Sequence, residues 1–224
     1  MRSIAIITAR GGSKRIPRKN VKPFMGKPMI AYAIAAAQES RLFDEVMVST
    51  DDAEIAAIAK NYGAAVPFMR SAATADDFAT TADVLNEVIA EYAKLGVVFD
   101  EFCCIYPCVP LLTGELLCEA HEVFASSAAD SLMPVVKYSF PIQRALRRGA
   151  DGFLEYREPE NKLKRSQDLE PMYHDVGMFY FHKTASFGKN GKVAMFEMTE
   201  ERIQDIDTMD DWKMAELKYK VLNG

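Results

Sequence analysis

The chain has 224 residues, 49% hydrophobic and 26% charged, with a formal net charge of −5. That is an ordinary globular balance, long enough to bury one sizeable α/β core, so a small scaffold stapled by disulfides or metal is excluded. The acidic balance speaks against a nucleic-acid partner, no apolar stretch suits a bilayer span, and the first residues lack a signal-peptide pattern, so no membrane partner is expected.

The apolar run Ile4-Ala5-Ile6-Ile7 reads as a buried parallel strand. It opens onto Arg10-Gly11-Gly12-Ser13-Lys14-Arg15-Ile16-Pro17-Arg18-Lys19-Asn20, where five cations crowd into a loop that starts with two glycines. Glycine lets backbone N–H groups turn toward a ligand, and the cations supply charge for a polyanion. In an α/β protein, the carboxyl end of the first strand is where phosphate is held. The loop has neither the GxxxxGK[ST] nor the GxGxxG spacing, so it is neither a P-loop nor a dinucleotide fingerprint.

Glu45–Ser49 reads as a second strand, followed by a helix to about Lys60 capped by Asp51 or Asp52 and closed by Gly63. Ser49-Thr50-Asp51-Asp52 is thereby explained as capping. Ala64–Phe68 is expected as a short third strand, and Thr81–Lys94 as a helix ending at Gly96. Phe102–Tyr106 is a buried strand broken by Pro107, Thr113 caps a helix to about Ser126, and Ser131–Lys137 is again a strand. The rhythm fails from about Tyr138 to Pro171, a polar stretch that reads as an extension from the sheet. It returns with a strand over 176–181, another over 194–198, and a last helix after Asp207-Thr208. The expected fold is α/β: a single Rossmann-like domain over 1–224, with a mostly parallel sheet and an inserted extension at 138–171.

Asp205-Ile206-Asp207 is the second chemical motif. In extended backbone both carboxylates face one side, and two carboxylates near phosphates make a Mg²⁺ site. The competing explanation is helix capping, since a helix follows at once. Cys103, Cys104, Cys108 and Cys118 match no zinc spacing and read as buried reduced thiols, which implies a cytoplasmic protein. His121 sits among charged residues and reads as a surface side chain, and His174 flanks a late strand.

Together these motifs resemble the CMP-nonulosonate synthetase (acylneuraminate cytidylyltransferase) family. The opening loop, Val48-Ser49-Thr50-Asp51-Asp52, Phe68-Met69-Arg70, Tyr106-Pro107-Cys108-Val109-Pro110-Leu111 and Asp205-Ile206-Asp207-Thr208 follow in family order, nearly end to end. Phe140 to Leu146, Arg165 to Pro171 and Tyr173 to Tyr180 are most similar to the branch that handles pseudaminic acid. Sialic-acid members typically have Gln-Pro-Thr-Ser-Pro-Leu-Arg at Tyr106 to Leu112 and Asn at Val176, so this chain departs from them.

The resemblance implies a nucleotidyltransferase fold and Mg²⁺-dependent joining of CTP to pseudaminic acid, with release of pyrophosphate, for surface glycoconjugates or flagellin. It implies Arg10, Ser13, Lys19 and Asn20 at the triphosphate, Arg70 and Thr81 at the cytidine, and Asp205 and Asp207 on the metal. Arg10, Lys19 and Asp207 are the implied catalytic groups. Tyr106, Gln143, Arg144, Arg165, His174 and Tyr180 are implied on the sugar side, Lys14 could touch phosphate, and the extension is implied to form a homodimer. The rival sugars are legionaminate, N-acetylneuraminate and 3-deoxy-manno-octulosonate. The rival of another class is a catalytically silent nucleotide-binding regulator.

Overall fold

The alternation of the first strand divides the core. In the computed structural model, which describes residues 1–76 and 78–224, β1 (Ser3–Thr8) sends Ala5 and Ile7 into one buried cluster and Ile4 and Ile6 into another. Both faces of the strand are covered, as a near-continuous apolar run requires. A small hairpin, β2 (Pro23–Phe24) with β3 (Lys27–Pro28), leads into α1 (Ile30–Ser40). This helix is absent from the sequence reading. Its run of alanines is buried nearly all round, so it shows little amphipathic period, and Arg41 ends it with a left-handed φ of 56°.

Next come β4 (Glu45–Ser49), α2 (Ala53–Asn61), a short α3 (Ala72–Ala75) and α4 (Thr81–Lys94). Asp52 caps α2 and Thr80 caps α4 through a reciprocal box with Asp83. The expected strand at 64–68 is corrected to a single bridge between Met47 and Ala65. Pro67 has no N–H to carry the ladder further. Then follow β5 (Glu101–Ile105), α5 (Gly114–Ser126) and β6 (Ser131–Lys137). After β6 the chain leaves the sheet, and the stretch contains only the hairpin of β7 (Leu146–Arg148) with β8 (Leu154–Tyr156) and short 3₁₀ turns.

The chain returns through β9 (Tyr173–Asp175), β10 (Phe179–Lys183), β11 (Val193–Met198) and α6 (Met209–Asn223). The continuous strand expected over 176–181 is corrected: Gly177, at φ 66°, separates β9 from β10. The sheet order is β11-β6-β10-β5-β1-β4, with β9 also on β6. β1 is parallel to β4 and β5, and β11 is parallel to β6, while β10 runs antiparallel to both β5 and β6. The strands of this path therefore share one direction except β10, and the expected mostly parallel α/β sheet is borne out.

α1, α2 and α5 pack on the Ala5 and Ile7 face, and α4 covers the Ile4 and Ile6 face. A third cluster joins Ile16 and Phe24 of the first loop region to Ile206, Trp212 and Ala215, docking α6 beside the basic loop. His121 is corrected from a surface role: its Nε2 lies 2.8 Å from Glu101 Oε1, and that bond raises its pKa. All four cysteines are free, with Cys103 and Cys104 fully buried and burial holding the Cys104 thiol up at about 12. Among the described residues no helix is long and apolar enough to cross a membrane.

Candidate active site

The basic loop is folded by its own polar groups. Gly11 N–H donates to Asp51 Oδ1 at 2.9 Å, and a Cβ on Gly11 would stand 2.7 Å from Asp52 Oδ2, so only glycine allows this approach. Ser13 Oγ donates to the Ile16 carbonyl at 2.7 Å, and Asn20 Nδ2 donates to the Arg10 carbonyl at 2.8 Å. Cys108 Sγ sits 3.2 Å from Asn20 Oδ1, which ties the loop to the segment leaving β5. Arg18, at a left-handed φ of 57°, turns away to grip Asp52 at 2.5 Å and Glu54. Its guanidinium brings the Asp52 carboxyl down to about 2. Ser49 to Asp52 thus caps α2, as expected, and also anchors the loop, a second role that capping had hidden.

What remains of the loop lines a cavity of about 390 Å³ with Arg10, Ser13, Lys14, Arg15, Lys19 and Asn20. Asp207 faces two of these cations, 2.7 Å from Arg15 Nη1 and 3.7 Å from Lys19 Nζ. Lys19 Nζ also donates to the Ile206 carbonyl at 2.5 Å. Ile206 is buried in the third cluster, which leaves Asp205 and Asp207 on its outer side. The capping explanation for Asp207 does not hold. Thr208 is the N-cap of α6, and Asp211 closes the box, accepting from Thr208 N–H at 2.7 Å.

Asp205 lines a second cavity of about 580 Å³, together with Tyr106, His174, Val176 and Tyr180. Burial, and then the neighbouring Asp207, raise the Asp205 carboxyl. Tyr106 and Tyr180 meet edge to face with ring centres 5.6 Å apart. Tyr180 Oη donates to the Asp175 carboxylate, at 2.9 and 2.8 Å from its two oxygens, and Gly177 N–H adds a bond at 2.8 Å to Oδ1. His174 Nδ1 lies 2.9 Å from its neighbour's carbonyl, and its ring stacks at a tilt on Tyr138. The Asp205–Asp207 pair therefore joins a cationic cavity to an aromatic one. Among the described residues no cluster of three or more acidic, histidine or cysteine side chains could hold a metal. A carboxylate pair suits Mg²⁺ only when phosphate and water complete the shell, and this pair stands beside the cations of the first loop.

Other expected site residues lie elsewhere. Arg70 is buried, donating from Nε to Ser49 Oγ at 3.1 Å and from Nη2 to the Ser49 carbonyl at 2.8 Å, and burial lowers its pKa. Thr81 is the first residue of α4 and lines neither cavity. Gln143, Arg144 and Arg165 are in the extension: Gln143 bonds the Glu170 carbonyl, Arg144 reaches Ser166, and Arg165 pairs with Asp168 at 2.8 Å. None of these three lines the aromatic cavity of its own chain. Sequence reasoning counted Arg15 only among the five loop cations and did not single out Asp175 or Lys218, which line the aromatic cavity.

A family model described as Cytidylyltransferase matches residues 4–141. The chain belongs to this family. The pseudaminic acid cytidylyltransferase of Campylobacter jejuni is 37% identical, covering 99% of this chain and 97% of that protein. The CMP-N,N'-diacetyllegionaminic acid synthase of Legionella pneumophila is 34% identical, covering 96% and 95%. Among solved structures, a CMP:2-keto-3-deoxy-manno-octonic acid synthetase complexed with CTP superposes with a TM-score of 0.71 at 17% identity, covering 99% of this chain and all of that one. That likeness carries the fold alone. The expected family, fold class and enzyme class are borne out: this is a cytidylyltransferase of the kind that includes the CMP-nonulosonate synthetases.

Proposed function

We propose that the enzyme joins CTP to pseudaminic acid, giving CMP-pseudaminic acid and pyrophosphate for bacterial surface glycoconjugates or flagellin. The observation that carries this reading is the Asp205–Asp207 pair, one carboxylate lining the aromatic cavity and the other set against cations of the basic one. A triphosphate in the first and a sugar in the second would meet at that pair. The full-length identity to pseudaminic acid enzymes supports the choice of sugar.

The sugar's anomeric hydroxyl attacks the α-phosphorus in line, and pyrophosphate departs. The protein's part is to position and to neutralise charge. Arg10 and Lys19 offset charge developing on the phosphates, while Ser13 and Asn20 hold the loop in the shape that presents them. Lys14 adds a cation to the same wall. Arg70 and Thr81 serve the cytidine end, Arg70 indirectly by holding Ser49. Asp205 and Asp207 are the residues that would hold Mg²⁺, and the chemistry it would supply there is Lewis-acid stabilisation of phosphate charge. Tyr106, His174 and Tyr180 wall the sugar.

The extension is proposed as a dimerisation element. It exposes Phe140, Phe153, Leu154 and Leu163, each at least 73% accessible, which is more apolar surface than so polar a segment needs. Gln143, Arg144 and Arg165 would then serve the partner's sugar cavity. The cytoplasm is the proposed compartment, on its free thiols and need for CTP.

Purified protein, CTP and Mg²⁺ are tested against a panel of nonulosonic acids with pyrophosphate release as the signal. Pseudaminic acid should give the highest kcat/KM. Val176 offers no side-chain hydrogen bond where sialic-acid enzymes carry Asn, and a pocket for a methyl group rejects an added hydroxyl by only about a hundredfold. A higher kcat/KM for N-acetylneuraminate overturns the sugar assignment, and no pyrophosphate release with any acid sugar overturns the activity.

A further inference from the structure

A nonulosonic acid carries a carboxylate on the carbon next to its reacting hydroxyl, so its cavity needs a cation. Arg144 and Arg165, expected on the sugar side, do not line this cavity in their own chain, so the chain itself must supply the cation from elsewhere. Lining the aromatic cavity, among the described residues, there is one lysine and no arginine: Lys218 of α6. The same cavity is lined by Asp175, Glu200 and Asp205, so an anionic sugar meets three carboxylates there. Asp175 is already bound by Tyr180 and Gly177, and Asp205 belongs to the metal pair.

Lys218 is partly buried, and its Nζ donates to two neutral acceptors, the Glu200 carbonyl at 2.8 Å and the Ile203 carbonyl at 2.7 Å. Among the described residues no carboxylate lies within ion-pair distance of it. An ammonium has three donors, so two are used and one is left, together with a full charge that the carbonyls do not cancel. Burial lowers the Lys218 pKa and outweighs the opposing pull of the Glu200 and Glu201 carboxylates, neither of which is in direct contact with the ammonium. An incoming carboxylate would supply both the third acceptor and the opposite charge. The two carbonyls belong to the segment running into Asp205, so the same ammonium is held in register with the metal pair.

We propose that Lys218 is the residue that takes the carboxylate of the acid sugar. This rests on the cytidylyltransferase reading above and adds a specificity residue to it.

The test compares each acid sugar with its primary amide, in wild type and in Lys218→Gln, whose amide N–H₂ keeps donors for the two carbonyls but has no charge. Wild type should prefer the acid over the amide by about 10- to 100-fold in kcat/KM. Lys218→Gln should lose most of that preference, with a raised KM for the sugar, an unchanged KM for CTP and a Tm close to wild type. A merely structural role would lower Tm or disturb both substrates while leaving the preference intact, and an intact preference overturns the proposal. Should Lys218→Gln not fold, wild-type protein decides. The acid sugar, and not its amide, must slow acetylation of Lys218 as followed by mass spectrometry, and equal rates overturn the proposal. If wild type releases no pyrophosphate with any acid sugar, the broader reading falls and takes this one with it.

Discussion

Lys19 Nζ and Asp207 Oδ1 stand 3.7 Å apart, although one belongs to the first loop of the chain and the other to the segment before its last helix. The docking of α6 through Ile206 and Trp212 sets this distance. It brings a cation suited to phosphate and a carboxylate suited to a divalent metal into one place.

Removing one carboxylate from that place should cripple turnover. Asp207→Asn is expected to reduce kcat by about two to three orders of magnitude, the scale of losing one preorganised electrostatic group. Asp205→Asn should lose less. Steady-state rates across a Mg²⁺ titration check this. Near-wild-type rates for both variants would reduce the motif to a structural role.

Gly11→Ala should destabilise without touching the ligand side. Its Cβ would stand 2.7 Å from Asp52 Oδ2 and 3.0 Å from Asp52 Cβ, so the loop or the start of α2 has to shift. Overpacking of this kind costs about 1–3 kcal/mol. Thermal denaturation should show a lower Tm, whereas Gly12→Ala, with nothing within 4 Å of its Cβ, should leave Tm nearly unchanged.

Acid should erase part of the loop's anchorage. The Asp52 carboxyl, at about 2 when folded against an ordinary 3.8, is depressed chiefly by Arg18. A depressed carboxyl contributes stability that is full above its unfolded pKa and fades as pH falls toward the folded one. Asp52→Asn keeps a helix cap and loses the charge. With Arg18 41% exposed, solvent screening leaves a difference of about 1 kcal/mol at neutral pH. Denaturant titrations should show that gap constant above about pH 5 and closing between pH 4 and 2. A gap that persists unchanged at pH 2 would show that the ion pair is not its source.

The extension should hold two copies together. Light scattering of the wild type is expected to give a dimer at micromolar concentration, and Phe153→Asp with Leu163→Asp should shift it to monomer while the sheet's circular dichroism is kept. Both side chains are now largely exposed, so the charges would not disturb the monomer's own core. A monomeric wild type ends the proposal.

The β1 strand, the capped helices and the two charged motifs were legible because each rests on local chemistry: apolar runs, Thr and Asp at N-caps, charge density. Helix α1 was not, since alanines buried on nearly every side leave no 3.6-residue stripe to read. The antiparallel sense of β10 was hidden too, because strand direction depends on the path of the 138–171 stretch and not on the strand's own residues. Asp175 and Lys218 escaped for a related reason. Each lines the cavity only once β9 and α6 have been brought together, and neither stands in a run of chemically similar neighbours.

The third cluster also sets the order in which a working enzyme can be made. The cationic loop leaves a ribosome well before Ile206, Trp212 and Ala215, which seat the carboxylates that face it. A nascent chain could complete every strand of the sheet before those carboxylates are seated, and on the proposed mechanism it would still be inert. Proteolytic removal of everything after β11 would take Asp205 and Asp207 away and leave the cationic wall, and on the proposed mechanism that remnant would bind a polyanion without turning it over.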